Sequence, residues 1–231
     1  MKPMKVAALV IALGSVLASP AASAAFIWTE NAAGAGELIG TAQVVVDSTL
    51  HALDGIRGTL ATRVLLSATP RNEVDVYKIF IDNAAGFSAR TVSSNPDDTA
   101  LFLFSGIGDG VFMNDDNGLD LLSALPGVGG IGFYYLAVAI GGFEALDAVA
   151  NQVFSAGLFT DLRPVDLTSG PLAAWSQGFA SYADLGLSYD IVLTGARIAD
   201  VPEPKSLALL GIAGLAAWRA RRPSRKPQVS A

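Results

Sequence analysis

Short apolar segments, separated by turns rich in glycine, asparagine and serine, fill the middle of this 231-residue chain. Residues 72–82 are the clearest of them, because Tyr77, Ile79 and Ile81 share one face when side chains alternate across a strand. A turn signal and an apolar return follow at residues 83–92, so the spacing predicts a β-hairpin.

Further segments extend the strand pattern along the chain. Residues 99–104 are apolar on both faces, which is typical of a buried central strand, and residues 111–113 form a short partner. Residues 132–139 are rich in aromatic and β-branched side chains, which favour strands. Residues 189–194 alternate and predict a last strand whose odd-numbered side chains point inward. Two weaker strand signals lie earlier, at residues 43–46 and 55–60.

Two stretches interrupt this pattern. In residues 143–154 the apolar side chains follow helical spacing loosely, which predicts a short helix or an ordered loop. Residues 161–186 have the composition of a loop. Many short strands with glycine turns and little helix predict an all-β fold, an antiparallel β-sandwich or jelly-roll, over residues 25–199.

The N-terminus has the three parts of a secretory signal peptide. Lys2 and Lys5 precede an apolar stretch at residues 6–13, and Ala22-Ser23-Ala24 provides a cleavage site of small residues. We therefore assign residues 1–24 to a signal peptide that signal peptidase removes. An uncleaved membrane anchor is disfavoured, because the apolar stretch is too short to span a bilayer.

The C-terminus joins three physically different segments. Pro202 and Pro204 flank Glu203, and since a proline lacks a donor and fixes its own φ, this piece does not suit a helix interior or a central strand. The uncharged run that follows, residues 206–218, suits a short membrane helix, although a comfortable span needs about 20 residues. The positive-inside rule would hold the basic residues behind it in the cytoplasm. These are Arg219, Arg221 and Arg222, and the basic tail continues through residues 224–231.

This tail resembles a PEP-CTERM sorting signal over residues 200–223, with Val201, Pro202, Glu203 and Pro204 as its motif. The resemblance implies that a membrane-embedded exosortase recognises the chain. It also implies a route of export. The protein would reside transiently in the inner membrane, be cut near the motif, and reach the cell surface or extracellular matrix of a Gram-negative bacterium.

A series of short motifs also occurs in order along the body: Asn72-Glu73-Val74-Asp75-Val76-Tyr77, Asp98-Thr99-Ala100-Leu101-Phe102-Leu103-Phe104, Asn114-Asp115-Asp116, Phe133-Tyr134-Tyr135-Leu136-Ala137-Val138, Trp175-Ser176-Gln177-Gly178 and Tyr189-Asp190-Ile191-Val192-Leu193-Thr194-Gly195-Ala196. The series resembles the bacterial pre-peptidase C-terminal type of β-sandwich, in the version found in exported PEP-CTERM proteins. The resemblance spans about residues 50–196. It implies a non-catalytic accessory or matrix domain.

Charge separates the body from its ends. The whole chain has a formal net charge of −6, but residues 25–200 hold seven Lys and Arg against twenty Asp and Glu, so the body is near −13. Such a surface argues against nucleic-acid binding, which needs a basic footprint, and would attract divalent cations. With no cysteine and one histidine, the chain has neither disulfides nor a structural zinc tetrad.

Acidic and amide residues cluster in the loops around residues 109–120. Hard oxygen ligands of this kind suit calcium, at about six to eight per ion, although their spacing does not fit an EF-hand. The commoner role of such residues is to form turns that cap strand ends, and this interpretation ranks first. The candidate calcium ligands are Asp109, Asn114, Asp115, Asp116 and Asp120, with Asn117, Asp97 and Asp98 as further members.

A sugar-stacking platform is the second candidate site. Trp175 lies in a predicted loop and is its proposed centre, with Trp28, Tyr134 and Tyr135 as further aromatic residues. Large aromatic side chains with one polar end are usual in such sites and equally usual in sandwich cores. Core packing is the favoured interpretation for Tyr135, and less strongly for Trp175.

The signals for catalysis are weaker. His51 has no nucleophile elbow around it, and the glycine-rich residues 127–132 precede a strand instead of opening a helix. Carboxylates are plentiful, but the separation that glycoside hydrolysis requires is not readable from sequence. We predict no enzyme, no catalytic residue and no cofactor other than calcium.

Three functions follow, in order of preference. The first is an exported structural or interaction protein of the cell surface or exopolysaccharide matrix. The second is a binding module for polysaccharide or calcium. The third is a secreted hydrolase that uses carboxylates.

Overall fold

A computed structural model describes residues 25–46, 51–60, 74–95, 98–118, 120–177 and 187–198. The predicted signal peptide and the whole predicted tail lie outside these ranges, including Val201, Pro202, Glu203, Pro204, the apolar run 206–218, Arg219, Arg221 and Arg222. Within the described ranges, no helix has the length and the apolar character needed to cross a membrane.

Strands are almost the only regular secondary structure among the described residues, which confirms the all-β prediction. The only helix among them is a three-residue 3-10 turn at Ile39–Thr41. In chain order the strands are β1 (Ile27–Thr29), β2 (Gln43–Val44), β3 (Gly55–Leu60), β4 (Val74–Ile81), β5 (Ser88–Asn95), β6 (Thr99–Ser105), β7 (Gly110–Asn114), β8 (Ala124–Leu125), β9 (Gly132–Ile140), β10 (Phe143–Leu146), β11 (Arg163–Pro164), β12 (Ala174–Gln177), β13 (Leu187–Thr194) and β14 (Ala196–Arg197).

Two sheets contain most of these strands. One has five strands in the order β1-β3-β13-β5-β8, and the other has seven, in the order β11-β7-β6-β9-β4-β14 with β2 also paired to β4. Most pairs are antiparallel as predicted, but β1–β3 and β2–β4 are parallel, so both sheets are mixed. Buried side chains of both sheets form one hydrophobic cluster, which makes the architecture sandwich-like. The jelly-roll topology stays a prediction.

Strand β6 confirms the prediction of a buried central strand. It lies between β7 and β9, and Leu101, Phe102, Leu103 and Phe104 have no exposed surface. Because successive side chains of a strand point to opposite faces, the two leucines and the two phenylalanines enter different layers. The sheet therefore has to be covered on both sides.

A smaller third layer covers the phenylalanine face of β6. Strands β10 and β12 pair with each other, and the Trp175 ring of β12 packs edge-on, 4.9 Å from the Phe102 ring centroid and 6.0 Å from that of Phe104. The Phe154 ring lies 5.9 Å and 5.5 Å from the same two rings. Edge-on aromatic packing of this kind adds to the stabilisation from area burial.

Of the two alternatives expected for residues 143–154, the short helix does not form, and an ordered loop follows only after residue 146. Residues Phe143–Leu146 form β10, along which buried and half-buried side chains alternate with the two-residue period of a strand. Asp147 then turns the chain, because its Oδ1 accepts the N–H groups of Val149 and Asn151. The partner strand β12 comes from the stretch expected to be a loop, so the pairing had no local signal.

The predicted hairpin between residues 72–82 and 83–92 is also wrong. Strands β4 and β5 both form, but β4 pairs with β9, β14 and β2, whereas β5 pairs with β13 and β8. The turn between them therefore crosses from one sheet to the other. A turn signal between two apolar runs favours a hairpin, but the same turn also serves a chain that changes sheets.

A buried polar network joins the two sheets. Tyr189 of β13 donates a hydrogen bond of 2.6 Å to Asp75 Oδ2 of β4. Since the Tyr189 proton is used there, Tyr77 donates to the Tyr189 oxygen, at 2.5 Å. Burial raises the pKa of both phenols above the usual range, so both stay protonated. The network gives the Asp75 carboxylate inside the sandwich a donor in Tyr189, which is in turn held by Tyr77, because a buried charge requires a hydrogen-bond partner.

We predict that Tyr189→Phe destabilises the protein by about 1.5–3 kcal/mol, because the buried Asp75 carboxylate loses one of its donors. Urea unfolding of the full chain measures this change. Tyr134→Phe is the matched control, since the half-buried Tyr134 hydroxyl donates only to the Gly130 carbonyl, at 2.8 Å, near solvent. Equal effects of the two substitutions would show that the inter-sheet network adds nothing.

Candidate functional site

Strand register brings three aspartates together at one end of the seven-stranded sheet. Asp98 directly precedes β6, while Asp115 and Asp116 directly follow β7. Because Leu101 lies opposite Asn114 in this antiparallel pair, the start of β6 and the end of β7 meet. One carboxylate oxygen from each aspartate lies within 4.8 Å of the other two.

Such proximity is unfavourable for three negative charges on their own. At an effective dielectric constant of about 20, two unit charges 4.8 Å apart repel each other by about 3.5 kcal/mol. Burial makes the negative charge of Asp115 still less favourable, because only 5% of its surface is exposed. The arrangement therefore favours either protonation of one carboxylate or a bound cation.

Gly141, between β9 and β10, lies directly against the carboxylates of Asp98 and Asp115. The Gly141 N–H donates to the Asp98 carbonyl oxygen at 3.4 Å, which continues the β6–β9 pairing. A Cβ atom at this position would overlap Asp98 Oδ1 and lie 2.9 Å from Asp115 Oδ1. The two oxygens thus crowd the same backbone position, and any side chain there would separate them.

Asp115 is incompletely satisfied. Its Oδ2 accepts the Gly142 N–H at 3.0 Å, but its Oδ1 is fully buried and has no hydrogen-bond partner among the described residues. The pKa of Asp115 is raised to about 7. Burial is the largest cause, the Gly142 bond opposes it, and the negative charges of Asp116, Asp98 and Glu144 contribute to the rise. Burial, followed by the Asp98 charge, also raises the pKa of Asp116.

Two other aspartates show what a turn-forming carboxylate looks like in this fold. Asp147 accepts four hydrogen bonds from neighbouring N–H groups through both of its oxygens. Asp166 accepts the N–H and the hydroxyl of Thr168 through Oδ1. These hydrogen bonds lower the pKa of both carboxyls, led for Asp147 by Gly170 and for Asp166 by the Thr168 hydroxyl. Asp115 differs from both in the direction of its shift, so turn formation does not account for it.

Asn114 organises the loop that presents the site. Its side-chain amide donates to the carbonyl oxygens of Asp116 at 2.8 Å and Asp161 at 3.3 Å, and its Oδ1 accepts the Ala124 N–H at 2.8 Å. The Asp116 N–H in turn donates to the Phe159 carbonyl, at 2.9 Å. Asn114 is therefore a scaffold residue, whose amide atoms are used by the protein itself.

The remaining predicted ligands lie elsewhere. Asp109 is in the turn at the opposite end of β7, where its N–H bonds to the Ser105 hydroxyl. Asp120 is exposed and belongs to a small turn with Asn117, through main-chain hydrogen bonds. Asp97 lies outside the described residues. Of the five principal candidates, only Asp115 and Asp116 meet, and Asp98 joins them.

Two supporting features had no clear signal in the sequence. Arg163 of β11 forms a bidentate ion pair with Glu144 of β10, at 2.9 Å and 3.0 Å, and also donates to the Ser155 carbonyl oxygen at 2.6 Å. This buried pair links the third layer to the edge of the seven-stranded sheet, close enough for Glu144 to influence Asp115. Gly141 could have been noticed only as part of the Gly141-Gly142 pair that ends an apolar strand.

Trp175 and His51 have ordinary structural surroundings. The half-buried Trp175 ring packs on Phe102 and Phe104, and its indole N–H donates to the Glu37 carbonyl oxygen at 2.6 Å. His51 is exposed and stacks near Phe26, with 6.3 Å between the ring centroids. A sugar-binding role for Trp175 stays a prediction.

Comparison with known families concerns the C-terminal tail. Residues 200–222 match the PEP-CTERM protein-sorting motif. The tail is a PEP-CTERM sorting signal. It indicates export and sorting to the cell surface by an exosortase, which is therefore the processing partner. No curated protein and no solved structure matches the chain. The resemblance of the body to the pre-peptidase C-terminal sandwich stays a prediction.

We predict that, in the presence of a chelator, the aspartate cluster makes the folded protein less stable as the pH rises. The pKa of Asp115 is raised from 3.8 to about 7 on folding, so between these values the folded state binds more protons than the unfolded state. The contribution of Asp115 to stability is therefore present at low pH and is lost as the pH rises through about 7.

Asp115→Asn removes this titration while Asp98, Asp116 and Glu144, which face it, remain. Thermal unfolding should be measured from pH 5 to pH 7.5. As the pH rises, the melting temperature of the variant relative to that of the parent should increase by several degrees. Parallel melting curves of parent and variant across this range would contradict the raised pKa.

Proposed function

We propose that this chain is a non-catalytic protein of the cell surface or exopolysaccharide matrix. The single observation that carries the proposal is the sorting motif at residues 200–222. In this scheme the signal peptide directs export, and the apolar run 206–218 holds the tail in the inner membrane with the arginines in the cytoplasm. Cleavage near Pro202-Glu203-Pro204 then releases the acidic body outward.

The folded body brings its two ends together, which supports this scheme. At the N-terminal end the Phe26 N–H donates to Asp54 Oδ2 at 2.8 Å, and the Asp54 N–H donates to the Phe26 carbonyl at 2.9 Å. At the C-terminal end the Ile198 N–H donates to the His51 carbonyl, at 3.2 Å. Residues 51–54 thus hold both Phe26 and Ile198, so the described body begins and ends at the same place.

The geometry of the carboxylates supports a non-catalytic role over a hydrolase. A catalytic acid has to reach the proton it transfers, within hydrogen-bond distance of the substrate. Asp115 has the raised pKa that a catalytic acid needs, but only 5% of the residue's surface is exposed, and its buried Oδ1 lies against the Gly141 backbone. We infer that its unusual environment serves binding or stability.

The sorting step is tested by intact-mass analysis of the protein from a host that encodes an exosortase. The parent should be recovered at the cell surface lacking residues 1–24 and the end of its tail. Glu203→Ala or Pro202→Ala should leave the tail attached and the protein in the inner-membrane fraction. Pro227→Ala, a proline change outside the matched segment, should be processed normally. Recovery of the uncut parent from the cytosol, or normal processing of Glu203→Ala, would refute the scheme.

Association with the matrix is tested by sedimentation with insoluble polysaccharides. We expect the parent to be retained and Trp175→Ala to be retained equally per folded molecule, because the ring packs on Phe102 and Phe104. The substitution should instead lower stability, by about 2–3 kcal/mol for a half-buried aromatic residue. Selective loss of retention at temperatures where the variant is folded would favour the binding module centred on Trp175. No retention of the parent would contradict the matrix role.

A further inference from the structure

We propose that Asp98, Asp115 and Asp116 bind a divalent cation, with the buried Asp115 Oδ1 as a direct ligand, and that calcium is the ion this site takes. Cation binding itself is independent of the matrix role and of the sorting step, and only its consequence for stability outside the cell rests on the export proposed above. It concerns a site built from the β6, β7 and β9 strand ends alone.

The argument begins with the unsatisfied oxygen. A buried polar atom without a partner is costly, and native structures nearly always provide one. Asp115 Oδ1 has no such partner among the described residues, although the Oδ2 atom of the same carboxylate is held by Gly142. Because the carboxylates of Asp98 and Asp116 lie next to that of Asp115 and repel its charge, the partner that suits the position is positively charged.

The spacing of the three carboxylates fits one ion. Calcium holds its oxygen ligands at about 2.3–2.6 Å, so two ligands on opposite sides of the ion are separated by at most about 5 Å. The three oxygens of the cluster lie within 4.8 Å of one another, inside that limit. Magnesium binds at about 2.0–2.1 Å and gives up its water reluctantly, so a site of several carboxylates suits calcium better.

The surrounding hydrogen bonds prepare the carboxylates for this role. Gly142 orients Asp115 through Oδ2, and the Asn114 amide fixes the backbone of Asp116 through its carbonyl oxygen. Neither contact uses Asp115 Oδ1. A metal site needs ligands that are held in place by such outer contacts while their free oxygens converge.

A bound ion would link the start of β6 to the end of β7, and the Gly142 N–H already ties Asp115 to the turn after β9. Each of these segments ends a strand of the seven-stranded sheet. Binding only to the folded state would stabilise it by mass action, by an amount that grows with the logarithm of the calcium concentration outside the cell once that exceeds the dissociation constant. The protein would then be less stable before export, where free calcium is scarce, than after it.

The test is a comparison of the chelator-treated full chain, in mild detergent, with and without calcium chloride. For a dissociation constant of about 0.1–1 mM, typical of extracellular calcium modules, about 10 mM calcium should raise the melting temperature by about 3–10 °C. Calorimetric titration should show about one ion per chain, bound at least tenfold more weakly when magnesium replaces calcium.

Two variants identify the ligands and one provides the control. Asp115→Asn should lose the calcium-dependent shift, while its melting temperature without calcium should equal or exceed that of the parent, since the amide relieves the repulsion. Asp116→Asn should reduce calcium affinity at least tenfold. If Asp115→Asn does not fold, the calcium affinity of Asp116→Asn tests the proposal. Asp120→Asn removes the same charge from an exposed neighbouring turn and should keep the full shift.

Three results would overturn the proposal. The first is a parent whose melting temperature and heat of titration do not respond to calcium, which would mean that a water molecule or a proton satisfies Asp115. The second is an unchanged calcium response in Asp115→Asn and Asp116→Asn. The third is an equal loss of response in Asp120→Asn, which would indicate general charge screening by calcium.

Discussion

The structure depends on a sheet whose central strands are apolar on both faces. Every residue of β6 from Thr99 to Phe104 is buried, and so are the last six positions of β9. Apolar surface is worth about 25 cal/mol per Å² when it is removed from water, so both faces of these strands require a cover. The five-stranded sheet covers one face, and the β10–β12 pair with Phe154 covers the other around Phe102 and Phe104.

The same sheet positions the candidate site. Antiparallel pairing places the start of β6, the end of β7 and the end of β9 at one end of the sheet. The loops that join these strand ends therefore lie next to each other there. Asp98, Asp115 and Asp116 occupy those loops, and Gly141 allows them to approach. The crowding of charge is thus a direct consequence of register. A shift of the β6–β7 pairing by two residues would separate Asp98 from Asp115.

The protein handles its buried polar groups in two different ways. Asp75 lies between the sheets with a hydrogen bond from Tyr189, and Arg163 is paired with Glu144 in a bidentate arrangement. These groups are satisfied by the chain itself, as buried charges usually are. Asp115 is the exception among the described residues, because its buried Oδ1 atom has no hydrogen-bond partner there. A site that departs from an otherwise consistent rule is where a ligand is expected.

Local sequence patterns were enough to predict the C-terminal sorting tail, the all-β character and the central strands. These depend on local composition: a proline-bounded motif, the two-residue period of Tyr77, Ile79 and Ile81, and the doubly apolar run of β6. The folded chain was needed to show which strands pair, that β4 and β5 belong to different sheets, and that residues 143–146 form a strand. It also decided which of the many acidic residues meet. Strand pairing and burial depend on contacts between residues far apart in the chain. A local pattern of side chains does not specify which distant residues meet.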